Sequence, residues 1–260
     1  MSSAPSSAQR WADELAAWAI PEEIMAQAPE SPWAFHPAGF RRSPGPSPDT
    51  VSRQRAREVL PEGGSVLDVG CGGGAAGLAL APPAALVIGF DPNADLLALF
   101  AEHAEEQGVA HEEVQGDWPE HAARAGPADV VVTHHVVYNI PQIGEFAAAL
   151  TAHARRRVVI EMSQHHPRAG VNDLWRHFWD LERPSGPTAD DAAGALVEAG
   201  IHPNVERWQR GPFTTDREKR VASIRRYLCL PPERDPEIDA LLGEDAFARP
   251  AEVVTLWWDA

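Results

Sequence analysis

The 260-residue chain is predicted to fold as an α/β protein with a parallel sheet covered on both faces. Three observations carry that prediction. Between residues 65 and 162, short apolar runs alternate with helical periodicities at the pitch of strand–helix–strand units. The stretch VLDVGCGGGAAG, residues 66–77, runs apolar to one carboxylate, turns through four glycines in five residues and becomes Ala/Leu-rich, as a strand–loop–helix junction does. Apolar content is 44%, enough at this length to bury a sizeable core without cross-links.

The elements follow in order. Residues 1–7 read as a frayed tail, and Trp11 to Ala28 as helix broken at Pro21. Residues 29–48 hold six prolines and the aromatic set Trp33, Phe35, His36 and Phe40, which reads as loop. Ser47-Pro48 has the form of an N-cap with proline in the first turn, opening a helix to Leu60. The alternation then runs strand Ser65–Val69, helix Gly74–Leu80, strand Ala85–Phe90 and helix Asn93–Gln107, stopped by Gly108. It continues with strand Glu112–Gln115, helix Pro119–Arg124, strand Val130–Thr133, helix Ile143–Ala154 and strand Val158–Met162. Residues 163–187 interrupt it with His, Trp, Arg and Pro and one helix, Asn172–Leu181. It resumes with helix Ala189–Ala199, capped by Thr188 and ended by Gly200, and a strand over Val205–Arg210. Thr215 and Glu218 have capping-box spacing, opening a helix to Leu228. A helix over Asp235–Leu242 and a strand over Val253–Trp258 close the series.

Charge and composition remove several functions. The balance of 22 basic and 38 acidic residues, net −16, argues against a nucleic-acid partner. Lys219 is the only lysine, so no P-loop lysine follows the glycines, and a Schiff-base enzyme would have to use a residue inside the DREKR run. Two cysteines, Cys71 and Cys229, far apart in sequence, do not make a disulfide framework. The polar start MSSAPSSAQRW is not a signal peptide, and the apolar run at 75–90 is broken by Pro82 and Pro83. The expectation is a soluble, cytoplasmic protein without membrane association, of unread oligomeric state.

The glycine loop admits two registers. Gly72, Gly74 and Gly77 fit G-x-G-x-x-G, with Asp91 placed 19 residues after Gly72 as a ribose-binding acid, the dinucleotide pattern. Asp68, Gly70, Gly72 and Gly74 fit D-x-G-x-G-x-G, which stands a carboxylate at the strand end beside the ligand. An anion there repels a pyrophosphate and attracts a ligand carrying an ammonium and a sulfonium. The helix N-terminus that follows suits the carboxylate such a ligand also carries.

On these residues the chain resembles class I S-adenosylmethionine-dependent methyltransferases, most densely from Glu62 to Met162. VLDVGCGGG is similar to their first motif, VIGFDPN to their second strand, VQGDW to the third, DVVVTHHVVYNI to the fourth and RRRVVIEMS to the fifth. The resemblance implies a Rossmann-like doubly wound sheet of seven mostly parallel strands, the last antiparallel, with helical lid insertions. It implies S-adenosylmethionine as cofactor, held by Asp68, Gly70, Cys71, Gly72, Gly74, Asp91, Pro92, Asp117, Trp118 and His134. Within that set Asp91 binds the ribose hydroxyls, Asp117 lies toward the adenine amino group and Trp118 against the ring. The turn TxHHVVYN and the insertion RHFWDLxRPxxPT also resemble a group of uncharacterised bacterial methyltransferases, which names no acceptor. The division expected is 1–48 as tail, helix and cap loop, and 49–260 as the methyltransferase domain with lid segments near 163–187 and 211–250.

Methyl transfer from a sulfonium needs alignment and exclusion of water, and an oxygen or nitrogen acceptor also needs a base. His135 is the first candidate base and His165 the second, since neutral imidazole is available at pH 7. Tyr138 and Asn139, Trp33 and the aromatic helix bearing Trp175 and Trp179 are candidates for the acceptor side, although a lid helix packed on the sheet rim is the favoured reading of Trp175. No metal is expected, because neither His134-His135 nor His165-His166 has helical i, i+4 spacing. Trp257 and Trp258 read as core, and Arg155 to Arg157 and the arginines of 217–226 as solvated. The expected acceptor is a small molecule. An NAD-dependent oxidoreductase and a non-catalytic S-adenosylmethionine-binding sensor or scaffold are the alternatives.

Overall fold

The computed structural model describes residues 5–33, 40, 49–211, 216–244 and 250–260. Seven strands form one sheet: β1 (Ser65–Val69), β2 (Leu86–Asp91), β3 (Ala110–Gln115), β4 (Ala128–His134), β5 (Ala154–Ser163), β6 (Asn204–Arg210) and β7 (Ala251–Asp259). Their order is β3-β2-β1-β4-β5-β7-β6. β7 runs antiparallel to both β5 and β6, while β1 to β5 pair in parallel. This is the Rossmann-like doubly wound sheet of seven strands with the last antiparallel. The chain order reverses between β1 and β4, so the ligand crevice of such a sheet opens at the carboxyl ends of these two strands.

The alternation of the strands explains the two covered faces. Leu67, Ile88, Val131, Ile160 and Leu256 pack on one side with α1 (Ser7–Ala16), α5 (Ile143–His153) and α7 (Ala189–Glu198). Their neighbours Val66, Val87, Val130 and Val159 pack on the other with α3 (Val51–Arg57) and α4 (Ala94–Gln107). A residue shift of one in any strand would exchange the two sets. A third apolar cluster lies apart from the sheet and joins α2 (Glu22–Met25), α6 (Asn172–Trp179), α8 (Arg217–Tyr227) and α9 (Asp235–Leu242) around Ile24, Trp175, Tyr227 and Ile238. The segments expected to form a lid are thus packed on one another.

Several helix boundaries follow the expected chemistry. Asn93 caps α4 by accepting from the backbone of Asp95 and Leu96, and Gly108 ends it in the left-handed region at φ 65°. Thr188 and Asp191 make the capping box of α7. Others differ. The cap of α3 is Thr50, whose side chain accepts from Arg53 N–H; Ser47 and Pro48 lie outside the described residues. Asp216, not Thr215, caps α8, with Thr215 also outside them. The segment after the glycines is turn with a single 3-10 turn at Leu78–Leu80 instead of a helix from Gly74, because Gly77 N–H is taken by the Asp68 side chain. α1 begins at Ser7, four residues before the expected start, since the Glu198 carboxylate accepts from the free N–H groups of Ser7 and Ala8.

Some expected surface charges are structural. Arg157 bonds to Asp259 and Glu58, and Arg225, 9% exposed, pairs with Asp235 and Glu30. Trp258 is core, and Trp257 lies half-buried under the Arg55 guanidinium. Among the described residues no helix is long and apolar enough to cross a membrane.

Candidate functional site

The loop after β1 is held from both ends. Gly70 and Cys71 N–H groups donate to Phe90 O at the end of β2, at 2.7 and 3.2 Å. Gly74, at φ 79°, has no room for a side chain: a Cβ would meet Leu78 at 2.6 Å and Phe100 at 2.7 Å. At Gly72, φ 51°, a Cβ would meet the Phe40 ring at 2.8 Å, so Phe40 lies directly on the loop. Phe35 and His36, from the same aromatic set, fall outside the described residues.

Asp91 ends β2 with one carboxylate oxygen accepting from Gly72 N–H at 3.0 Å and the other from Asn93 N–H at 2.9 Å. Burial nevertheless pushes its carboxyl up. Asp68 is 1% exposed. Its Oδ2 accepts from Gly77 N–H at 2.7 Å, whereas its Oδ1 is buried without a hydrogen-bond partner. Burial, and to a lesser degree the charge of Asp91, raise the carboxyl to about 7 against the Gly77 N–H. A buried carboxylate oxygen left open is what a cationic ligand satisfies and an anionic pyrophosphate does not. Cys71 is a buried spacer whose thiol burial pushes well up. Pro92 is exposed beside Asp91, and its carbonyl accepts from the Gln115 side chain.

Asp117 is exposed after β3, and its backbone N–H donates to His121 Nδ1 at 3.1 Å. Trp118 is 8% exposed, set edge-on against Phe90 at 5.1 Å and His153 at 4.9 Å. Its indole N–H donates to Phe146 O.

The rim after β4 carries a group that sequence reading missed. Glu161, 6% exposed on β5, lies between both expected histidines. His135 Nε2 is 3.2 Å from Glu161 Oε1, and His134 Nδ1 is 3.7 Å from Oε2. Burial alone would raise the Glu161 carboxyl, but the His134 and His135 rings and the Ser52 hydroxyl outweigh it and hold it below the usual carboxylate range. Ser52 is itself fixed by Thr255 of β7 at 2.7 Å. Burial lowers His134 to about 4, so it is neutral at pH 7. His135 sits at φ 59°, its N–H bound to Glu161 O at 2.7 Å, and the Arg210 guanidinium of β6 approaches its Nε2 at 3.3 Å. Its Nδ1 faces the Tyr138 hydroxyl at 3.5 Å, and that hydroxyl accepts from Ser163 N–H. The next residue, Val136, packs where a Gly70 Cβ would stand, so this turn adjoins the glycine loop. The available signal for Glu161 was a lone charge within VVIEMS, an otherwise apolar run in a strand.

Beside the turn is a cavity of about 290 Å³ lined by Leu15, Trp18, Trp33, Tyr138, Asn139 and Pro141, among others. Trp33 and Tyr138 therefore share one cavity. Trp175 is fully buried in the third cluster, edge-on to Tyr227 at 5.3 Å. His165 is exposed, while its neighbour His166 is buried and stacked on Trp18 at 3.9 Å. Among the described residues no group of three or more His, Cys, Asp or Glu is arranged to hold a metal ion.

Residues 66–157 match the family described as a methyltransferase domain. This segment is thus similar to a methyltransferase domain, in keeping with the resemblance to class I S-adenosylmethionine-dependent enzymes. It contains the glycine loop, both strand-end acids and the histidine turn. Over 80 residues the chain is 44% identical to a ubiquinone biosynthesis O-methyltransferase of Cronobacter sakazakii, covering 30% of this chain and 33% of that protein. A ubiquinone biosynthesis O-methyltransferase of Escherichia coli is 41% identical over the same shares. The chain thus spans about a third of the length of the curated relatives it matches. Among solved structures, the YcgJ protein of Bacillus subtilis superposes with TM-score 0.56 at 15% identity, covering 80% of this chain and 95% of that one. A putative methyltransferase from Bacillus halodurans gives 0.55 at 17%, covering 80% and 96%. These two share the fold of the methyltransferase domain.

Proposed function

We propose that the chain transfers the methyl group of S-adenosylmethionine to an oxygen or nitrogen atom of a small-molecule acceptor, with His135 as general base. The observation that carries this reading is the 3.2 Å contact between His135 and Glu161 on the turn that packs against the glycine loop. The cofactor supplies an electrophilic methyl on a good, neutral leaving group. Asp68 offers its open oxygen to the cationic end, Asp91 the ribose side, and Asp117 with Trp118 the adenine side, as the family pattern implies. Glu161 lies beside His135 Nε2 and holds the ring in place, and the ring nitrogen left unprotonated takes the acceptor's proton. Arg210 approaches His135 Nε2 and acts on the Glu161 charge through space, and the aromatic cavity beside the turn offers the acceptor an apolar wall. The relatives named O-methyltransferases favour oxygen as the acceptor atom. His165, exposed after β5, is the second candidate base. Residues 49–260 then form the transferase domain, with the 29–48 loop and the segments near 163–187 and 211–250 as its cover.

Calorimetric titration with S-adenosylmethionine, with NAD in parallel, tests the cofactor. Micromolar binding of the first and none of the second is expected; binding of NAD would return the loop to the dinucleotide register. Methyl transfer by His135→Ala and His165→Ala variants tests the base. Wild-type turnover by both would remove the general-base role.

A further inference from the structure

One buried histidine takes no part in the chemistry above. His103 of α4 is 4% exposed. The other buried side chains of that helix, Leu96, Leu97, Leu99, Phe100 and Ala104, are all apolar. The His103 ring is turned to the glycine loop, with Nδ1 2.7 Å from Gly73 O. A carbonyl oxygen only accepts, so the ring carries a proton on Nδ1 and donates it. The same peptide group is held from its other side, because Gly74 N–H donates to Cys71 O at 2.8 Å. In a trans peptide the C=O and N–H point opposite ways. The two bonds therefore fix the plane of the peptide joining Gly73 to Gly74.

That plane needs fixing because the sequence around it has little preference of its own. Gly72 and Gly74 stand at φ 51° and 79°, and a residue without Cβ adopts the opposite sign of φ about as readily. The anchors described so far come from β2: Phe90 O accepts from Gly70 and Cys71 N–H, and Asp91 from Gly72 N–H. They reach as far as Gly72. His103 comes from α4 and holds the next residue. The packing at Gly73 is close on the same side, since a Cβ there would meet His103 Cε1 and Leu99 Cδ2, each at 3.3 Å. Three residues beyond Gly74, Gly77 N–H meets the Asp68 carboxylate, so the hold at Gly73 lies between the two acids that flank the loop.

We propose that His103 is a positioning residue of the cofactor site, its Nδ1–H bond to Gly73 holding the glycine loop in the shape that receives S-adenosylmethionine. The role in cofactor binding rests on the methyl-transfer reading; the hold on the loop stands without it. His103→Leu keeps an apolar filling and removes the donor. His103→Asn restores one, because its Nδ2–H stands as far beyond Cβ as the imidazole Nδ1. Each full-length variant is titrated with S-adenosylmethionine by calorimetry. Each is also treated with iodoacetamide in the native state, and the labelling rate of Cys71, inside the loop, is read against that of Cys229, buried in the third cluster, which reports global unfolding. His103→Leu should weaken S-adenosylmethionine binding about tenfold, ~1.4 kcal/mol, and raise the Cys71 to Cys229 ratio by a similar factor. His103→Asn should recover most of both. A wild-type ratio in His103→Leu, or an asparagine variant that behaves as the leucine one does, would overturn the hold on the loop. A raised ratio with unchanged affinity would overturn its role for the cofactor. If the unsubstituted protein binds no S-adenosylmethionine, the methyltransferase reading falls and the cysteine ratio alone decides the hold. Should His103→Leu fail to fold, imidazole nitrogen NMR of the unsubstituted protein at pH 8 decides: a His103 ring protonated at Nδ1 is expected, and one protonated at Nε2 alone would overturn the bond.

Discussion

Asp68→Asn should make the ligand-free protein more stable at pH 8 and less stable at pH 4. The Asp68 carboxyl rises from 3.8 to about 7 because it is buried at 1% exposure. The fold therefore favours the protonated acid. That contribution is fully present below pH 3.8 and is lost as pH rises toward about 7. At ~1.4 kcal/mol per pKa unit, the shift amounts to about 4 kcal/mol at pH 8. Asparagine carries no charge to desolvate, and its Oδ1 retains the 2.7 Å bond from Gly77 N–H. Its amide NH2 replaces the open Oδ1 and, unpaired, costs about 1–2 kcal/mol. The variant should gain about 2–3 kcal/mol over wild type at pH 8 and lose about 1 kcal/mol at pH 4. Urea unfolding of both proteins at half-unit steps from pH 4 to 8 reads the difference, in which other titrating groups cancel. A difference that stays constant across that range would refute the account of Asp68 as an unmet buried charge. The same variant should bind S-adenosylmethionine more weakly, since the gained stability is the interaction the cationic ligand would have relieved.

His135→Ala should lower kcat by about 10²–10⁴, and Glu161→Gln should lower kcat less with KM unchanged, because the carboxylate fixes the imidazole without touching the acceptor. Wild-type kcat in Glu161→Gln would exclude that positioning role. Trp11→Ala should cost about 3–5 kcal/mol in chemical denaturation, because the ring is 0% exposed and its N–H donates to Ile140 O at 2.8 Å, tying α1 to the turn beside the cavity. Cys71 should resist iodoacetamide at pH 8 in the native protein and react once unfolded, since burial holds its thiol protonated; rapid native labelling would contradict its packing in the loop.

The sheet was legible because its strands repeat one simple signal, an apolar run closed by a turn. Ser65–Val69 and Asp235–Leu242 have the expected bounds, and β2, β4 and β5 differ by a few residues at the ends. The glycine turn and its strand-end acids were legible for a related reason: both are local features. The clusters assembled from distant segments were not. Glu161 reads as one residue of a strand until β4 folds beside it and delivers two histidines. Arg168, Arg183, Trp18 and Tyr227 come from four separated segments, and no spacing between them announces a cluster. Helix starts failed where a neighbouring side chain could cap equally well, as at Thr50 and Asp216. Arg157 and Arg225 looked solvated because their partners lie far along the chain.

β7 sits between β5 and β6 although it follows both in sequence. Until it arrives, β6 has no strand to join, and Arg210 at its end has no fixed address. Thr255 of β7 also anchors the Ser52 hydroxyl beside Glu161. In chain order the glycine loop is therefore complete long before the strand that braces Glu161 has been made. A chain ending before residue 251 would keep every residue of the glycine loop and lose that brace and the only strand β6 pairs with among the described residues. The two halves of the proposed site thus depend on opposite ends of the sequence.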